Sequence, residues 1–317
     1  MNKETPLDLL KKHFGDDLQD EPFRLLDLGC SGGIPPEWRK LEPYLCAIGV
    51  DLVEAEVSRL NSEEKNPRIK YFAGNLELHP EHPIRKARGS PFVCHSHRAF
   101  AQTSAWDAHT RTQKQRESGN PSSKPDHVDL PNLLKSQGFS SVDFIKIDVD
   151  GPDFDLLQAL EPHLERLQVL GCKLEVNFNG TADPHDHTFH NMDRLMRKNG
   201  FELYDLDLRR YTKKALPGKF EGNFFGQTQG GALAQGDALY FKRPIASDVG
   251  KQMKLVALLS LYGQMDSAAD LMVQGRFDQP LREKWLDSAS QIAGFPSYHA
   301  LLSQWESDPA KFFVDSS

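Results

Sequence analysis

Residues 26–33 read Leu-Asp-Leu-Gly-Cys-Ser-Gly-Gly, an acid followed at once by a glycine-rich turn. Glycines at the end of a buried strand let backbone come close to a ligand. A dinucleotide-binding turn would need glycine at 29, 31 and 34, and this chain has Ser31 and Ile34 at the last two. Asp27, ahead of the turn, repels a pyrophosphate. It attracts a cationic amine, or orders the loop by accepting its N–H groups. Asp27, Gly29, Ser31 and Gly33 are therefore the first candidate binding residues, with simple capping of the loop as the plainer role for Asp27.

Asp51 ends a second apolar run. A carboxylate there can take both hydroxyls of a ribose, one per oxygen, in any adenosine ligand. Glu54, three residues on, offers a plainer role, a helix N-cap with a capping-box arrangement. Asn75, after a third apolar run, can meet an adenine or simply form a turn. An adenosyl ligand with an ammonium group and no phosphates suits both acids. S-adenosylmethionine has that chemistry.

The third feature is Asp143-Phe144-Ile145-Lys146-Ile147-Asp148-Val149-Asp150-Gly151-Pro152-Asp153. It resembles the Lys-Ile-Asp-Val-Glu-Gly signature of FkbM-type methyltransferases, with Asp150 in place of the usual Glu. The likeness extends over roughly residues 21–243. It takes in the Asp27 turn, Asp51, Glu175, Leu-Arg-Arg-Tyr at 208–211, Ala-Leu-Pro at 215–217 and Gly-Asp-Ala-Leu-Tyr-Phe at 236–241. The resemblance implies an α/β fold, a class I methyltransferase-like doubly wound, mostly parallel sheet. It also implies S-adenosyl-L-methionine as cofactor and methyl transfer to a hydroxyl of a sugar, glycan or secondary metabolite.

In an open parallel sheet, ligands bind beyond the carboxyl ends of the strands. Asp27, Asp51, Asp148 and Glu175 fall at or near such ends. Methyl transfer from a sulfonium is an in-line displacement, so alignment supplies much of the rate. The accepting hydroxyl must also lose a proton. Asp148 is the expected catalytic acid, with Glu175 and His187 as partners. Lys146 alternates with Asp148 and is expected as a buried ion-pair partner of a strand-end acid. Asp150 is expected to order the turn before the next helix. Asp183, His185, Asp186, His187 and His190 follow Glu175. One of these histidines can serve as a base near neutral pH, or the group is a solvated loop capping a helix. No metal site is expected.

Apolar runs at 24–30, 46–52 and 69–73 read as buried strands. Helices around 37–44 and 54–60 separate them, after a short amphipathic helix at 6–14. The β-α-β-α-β order predicts right-handed crossovers and a parallel sheet. Periodicity lapses from 78 to 125, which reads as a lid or insertion. Arg85, Lys86, Arg88, His95, His97 and Trp106 there suit an acceptor-binding surface, or a polar loop. Order resumes with helices at 128–137, 154–167 and 191–198 and strands at 142–149, 173–178, 201–208 and 237–243. Within a Gly- and Gln-rich stretch at 213–235, residues 227–235, with Phe224 and Phe225 before them, read as an opposite wall. After Pro244, Leu255, Leu258, Leu259 and Tyr262 mark one helix and Ala268, Ala269, Leu271 and Met272 another, turning at Gly263. The expected division is an N-terminal helix at 1–20, a methyltransferase domain at 21–243 and an α-helical extension at 244–317.

The whole chain has 317 residues, 38 Lys+Arg and 45 Asp+Glu, for a net charge of −7. That balance argues against nucleic-acid partners, although the insertion is locally basic. No apolar stretch is long enough to span a membrane, and the polar start is no secretory signal. Cys30, Cys46, Cys94 and Cys172 lack metal-ligand spacing and read as reduced thiols, so a cytoplasmic location is expected. The partner is then a small-molecule or glycan acceptor. Two other classes remain open at this point, a nicotinamide-dependent oxidoreductase and a non-catalytic module that recruits a partner through its tail helices.

Overall fold

The computed structural model describes residues 4–88, 125–211, 231–243 and 248–312. Two short helices, α1 (Pro6–His13) and α2 (Gly15–Asp20), precede β1 (Phe23–Leu28). A 3₁₀ turn, Pro36–Leu41, leads to β2 (Leu45–Asp51), α3 (Glu54–Glu63), β3 (Ile69–Ala73) and α4 (Pro83–Arg88). Then come α5 (Leu130–Ser136), β4 (Phe144–Ile147), α6 (Asp153–Leu160), β5 (Gly171–Asn177) and α7 (Phe189–Lys198). Strands β6 (Glu202–Tyr211) and β7 (Ala232–Phe241) follow. Four helices, α8 (Val249–Leu261), α9 (Met265–Gln274), α10 (Gln279–Ile292) and α11 (Tyr298–Ser307), and the 3₁₀ turn Pro309–Phe312 complete the described chain.

The strands form one seven-stranded sheet in the order β3-β2-β1-β4-β5-β7-β6. The β1–β4, β2–β3 and β4–β5 pairs are parallel, and β7 runs antiparallel to both β5 and β6. This is the mostly parallel, class I methyltransferase-like sheet expected. Strand order reverses between β1 and β4, so the crevice beyond their carboxyl ends is the natural ligand site.

Alternation along the strands separates two faces. Leu26, Leu28, Ile145, Ile147, Leu174 and Val176 pack into a core with Leu134 of α5, Leu157 of α6 and Met192 and Met196 of α7. Each such side chain contributes about 1.5–3 kcal/mol on burial. The opposite face carries charge. Asp27, Lys146 and Lys173 lie side by side across β1, β4 and β5. Glu175 lies beside Asp237 of β7, which in turn lies beside Asp207 of β6.

Three elements differ from the sequence reading. The segment expected as a helix at 37–44 is a 3₁₀ turn, because Pro35 and Pro36 remove consecutive N–H donors. The helix expected at 154–167 ends as an α-helix at Leu160 and continues as the 3₁₀ turn Glu161–His163. Pro162 lacks the N–H that another α-turn needs. Strand β7 begins at Ala232 rather than 237, and β6 reaches Tyr211. Their cross-strand partners, Arg209 with Gln235 and Tyr211 with Ala232, supply the ladder that a small, polar composition hides.

The chain divides into two compact units. One consists of Met1–Phe23, Pro35–Leu45 and Arg243–Ser317, the other of Arg24–Ile34 and Cys46–Lys242. The sheet core and the candidate site belong to the second. Within the first, α8 buries Met253, Leu255, Val256, Leu258 and Leu259. Gly263, at φ 75°, turns the chain into α9. Trp285 of α10 is fully buried, and Ser288 of α10 donates to the Glu4 carbonyl at 2.9 Å. Buried Lys254 donates to the Pro22 carbonyl at 2.8 Å. Among the described residues, no helix is long and apolar enough to cross a membrane.

Candidate active site

The glycine turn leaves β1 through Gly29, at φ 88°. A side chain on Gly29 would put its Cβ 1.8 Å from the backbone oxygen of Asp148, so only glycine fits between the two strand ends. The turn closes where Gly33 donates to the Cys30 carbonyl at 2.8 Å. Gly32 donates to Glu56 of α3 at 3.0 Å. Ser31 stands exposed at the tip.

Asp27 is 1% exposed. Its Oδ1 accepts from Lys146 Nζ at 3.2 Å, and its Oδ2 has no partner among the described residues. Burial pushes the Asp27 carboxyl up to about 6, against the pull of Lys146. Asp27 therefore does not order the turn through its N–H groups. Lys146 does that work, donating to the Gly29 carbonyl at 3.1 Å as well. Lys146 Nζ also lies 3.6 Å from Asp148 Oδ2. The expectation that Lys146 pairs with a strand-end acid matches this arrangement.

Asp51 Oδ1 accepts from the Val53 N–H at 2.9 Å. Val53, not Asp51, is the N-cap of α3, and it makes no side-chain capping bond. Leu52 and Val53, beside Asp51, are 44% and 48% exposed. Asn75 is buried, and its side chain accepts from the Glu77 N–H at 3.0 Å, an Asx-type turn. Its backbone bridges to His127 in parallel.

The turn after β4 depends on a residue that sequence reasoning missed. Asp153 is fully buried. Its two carboxylate oxygens accept from the N–H groups of Val149 and Gly151, each at 2.9 Å. Turn ordering expected of Asp150 therefore falls to Asp153, while Asp150 stands exposed at φ 54°. An acid in the first turn of a helix, just after Gly-Pro, was the available signal.

His187 packs beneath this turn, its side chain 3% exposed. Its Nε2 lies 3.0 Å from the Glu175 carbonyl, and its Nδ1 lies 3.2 Å from both Asn177 Nδ2 and the Gly151 carbonyl. The surrounding loop is tied to itself. Asp186 accepts from the Thr181 N–H at 2.6 Å, and Asn191 donates to the carbonyls of Asp183 and Asp186, each at 2.8 Å. Glu175 accepts from Gln235 and lies 3.8 Å from Arg209. Burial, joined by Asp153, Asp148 and Asp150, pushes its carboxyl well above the ordinary range, and Arg209 opposes the rise.

A cavity of about 620 Å³ opens where the carboxyl ends of β1 to β4 meet. Gly29, Ser31, Asp51, Asn75 and Asp148 line it, whereas Asp27, Gly33, Glu175 and His187 are not among its lining residues. The Asp148 side chain is 41% exposed. The atoms packed on its other sides, with Asp153, Asp237 and Asp150, still hold its carboxyl above the usual range, against Lys146. Arg85 of the insertion and Asp155 of α6 join the wall. Nothing in the spacing marked Asp155, since its place follows from the packing of α6. The other basic residues named in the insertion after Lys86, together with Phe224 and Phe225, lie outside the described residues or side chains.

The wall bears Asp51, Glu77, Asp148, Asp150 and Asp155 against Arg85. Such a surface attracts a cation and repels a polyphosphate. This acidic lining around the glycine turn fits a cationic cofactor such as an adenosyl sulfonium bearing an ammonium group.

In solved structures, the chain is similar to a TehB-like SAM-dependent methyltransferase from Corynebacterium glutamicum ATCC 13032, at 12% identity over 73% of this chain and 94% of that one, TM-score 0.31. It is similar to a putative O-methyltransferase from Klebsiella pneumoniae, at 11% identity over 74% and 78%, TM-score 0.34. It is also similar to magnesium protoporphyrin IX methyltransferase from Synechocystis PCC 6803 with bound SAM, at 9% identity over 75% and 79%, TM-score 0.32. No curated protein matches. Residues 43–203 match the methyltransferase FkbM domain. That match covers half of the chain, from β2 through the Lys146–Gly151 signature to the start of β6, and it removes the nicotinamide and non-catalytic alternatives. The chain belongs to the FkbM methyltransferase family and is an S-adenosyl-L-methionine-dependent methyltransferase.

Proposed function

We propose that this enzyme is a cytoplasmic O-methyltransferase whose acceptor is a hydroxyl of a sugar, glycan or small secondary metabolite. The observation that carries the reading is Asp148. It is the partly exposed carboxyl paired with Lys146, it lines the cavity, and it abuts the glycine turn through its own backbone. When bound, S-adenosylmethionine supplies an electrophilic methyl carbon. Asp148 orients the acceptor hydroxyl and takes its proton, and a carboxyl held above its usual range is better suited to that task near neutral pH. Asp51 holds the ribose with its carboxylate, Asn75 lies beside the adenine, and Gly29, Ser31 and Gly33 shape the loop. Asp27 supports the same loop from behind, through Lys146.

Glu175 and His187 act at one remove in this reading. Glu175 stays outside the cavity lining, held by Gln235 and Arg209, and His187 positions the turn rather than moving a proton. Both ring nitrogens of His187 are already engaged, which supports that assignment. The catalytic domain is taken as residues 21–243. The acidic wall supports an uncharged or cationic acceptor over a nucleic acid.

Incubation with methyl-labelled S-adenosylmethionine and fractionated cell glycans and metabolites tests this. Label in an alkali-stable ether on a sugar or metabolite is expected. Label confined to RNA, to nitrogen or to protein would overturn the O-methyl reading.

A further inference from the structure

We propose that Lys146 is a positioning residue that ties the glycine turn and the catalytic carboxylate into one unit. The inference rests on the reading of Asp148 as the proton acceptor. It also goes beyond that reading, because it makes the donor site and the acceptor site mechanically dependent on a single ammonium group.

The geometry is specific. Lys146 Nζ reaches Asp27 Oδ1 at 3.2 Å, the Gly29 carbonyl at 3.1 Å and Asp148 Oδ2 at 3.6 Å. An ammonium has three donors and no acceptor: two hydrogen-bond Asp27 and the Gly29 carbonyl, and the same charge forms an ion pair with Asp148. Of these oxygens, one belongs to the strand that leads into the donor turn, one to the turn itself, and the third to the acid at the acceptor side. Asp27 and Lys146 are register neighbours across β1 and β4, and Asp148 follows on the same side of β4. Rigid strands thus hold all three contacts.

The charges around this ammonium are nearly all acidic. Asp27 faces it from β1 and Asp148 from β4. Asp150 and Asp153 lie beyond Asp148 in the turn and α6, Asp237 approaches from β7, Glu175 from β5, and Asp51 from β2 near Asp27. Lys173, its register neighbour on β5, is committed to Asp237 at 3.4 Å. Burial works against the charge on Lys146, yet Asp27 and Asp148 outweigh it and keep the amine protonated. Lys146 is therefore the counter-charge that both carboxylates share. Without it, each would bind a proton at higher pH, and the turn would lose the donor to its Gly29 carbonyl.

The test uses the full-length protein as wild type, Lys146→Met, Lys146→Gln and Lys146→Arg. Two readouts apply: carbon NMR titration of aspartate carboxyls, assigned with Asp148→Asn and Asp27→Asn, and calorimetric binding of S-adenosylhomocysteine across pH 5–8. In Lys146→Met the Asp148 and Asp27 midpoints should rise by about one to three pH units. S-adenosylhomocysteine affinity should fall at least about tenfold, as for a lost charge-assisted contact. Lys146→Arg should bring the midpoints back toward wild type. If Lys146→Met does not fold, Lys146→Gln carries the same comparison, since it keeps polarity without the charge. A folded neutral variant with an unmoved Asp148 midpoint, or with wild-type affinity, overturns the proposal. A separate outcome concerns the base itself: if Asp148→Asn keeps its turnover while the midpoints move as expected, the tie stands and the proton-acceptor reading falls.

Discussion

Gly29 and Asp148, more than a hundred residues apart in sequence, meet so closely that no side chain fits between the α-carbon of the first and the backbone oxygen of the second. The two strand ends that carry the donor turn and the catalytic acid are therefore in direct backbone contact. Asp148 N–H reinforces this by donating to the Leu28 carbonyl at 2.9 Å.

That contact sets the outcome of Gly29→Ala. The left-handed backbone alone costs about 1–2 kcal/mol for an L-residue, and the clash with Asp148 adds to it. S-adenosylhomocysteine affinity should drop by more than about tenfold. Turnover should fall as well, because the Asp148 carbonyl must move. Wild-type affinity by calorimetry would show that the turn is not part of the donor site.

Asp51→Ala should weaken S-adenosylhomocysteine binding with the thermal midpoint little changed. One or two charge-assisted hydrogen bonds, at about 1.5–3 kcal/mol, correspond to about a tenfold to hundredfold loss. Unchanged affinity would remove Asp51 from the ribose site.

Asp148→Asn should lower turnover by about 10²–10⁴, the usual span of general-base catalysis, while S-adenosylhomocysteine affinity stays within a few-fold of wild type. Near-wild-type turnover would end its role in proton transfer. Loss of binding and turnover together would point instead to a collapsed glycine turn.

Glu175→Gln should stabilise the protein at neutral pH. The folded carboxyl holds its proton more tightly than the unfolded one, so its contribution to stability is complete below the unfolded value and fades as pH rises toward the folded one. Glutamine carries the neutral form at every pH. The thermal midpoint should therefore rise by about 2 °C or more at pH 7.5. The gain should vanish below about pH 4, near the ordinary glutamate value. A lower midpoint at pH 7.5 would mean that the Arg209 and Gln235 contacts outweigh the cost of burying the charge.

Asp153→Ala should destabilise markedly, since it leaves the N–H groups of Val149 and Gly151 without partners. At about 1–3 kcal/mol each, the loss should appear as a thermal midpoint several degrees lower. A midpoint equal to wild type would mean that water or a neighbouring group replaces the carboxylate.

Much of this was legible in residue order. The apolar runs ending in Asp27-Leu28-Gly29, Asp51 and Asp148 announced parallel strands with acids at their carboxyl ends, because a buried strand needs a continuous apolar run and a ligand needs polar groups where the run stops. The alternation of Lys146 with Asp148 foretold a shared face. Composition misled at β7, where Ala232, Ala234 and Gly236 look like loop until β6 and β5 pair on either side.

By itself, then, the sequence determined the fold class, the family signature and the types of residue available for methyl transfer. Period, strand-end acids and glycines are local properties, and local sterics enforce them. Only the tertiary structure decided which of those residues meet. It set Gly29 against Asp148, gave Asp27 and Asp148 one shared lysine, moved the turn-ordering role from Asp150 to Asp153, and enclosed His187 among its own partners. The reason is physical. Desolvation and ion pairing depend on distances through space across β1, β4 and β5, and residues 119 apart in the chain, such as Asp27 and Lys146, acquire those distances only when the sheet forms.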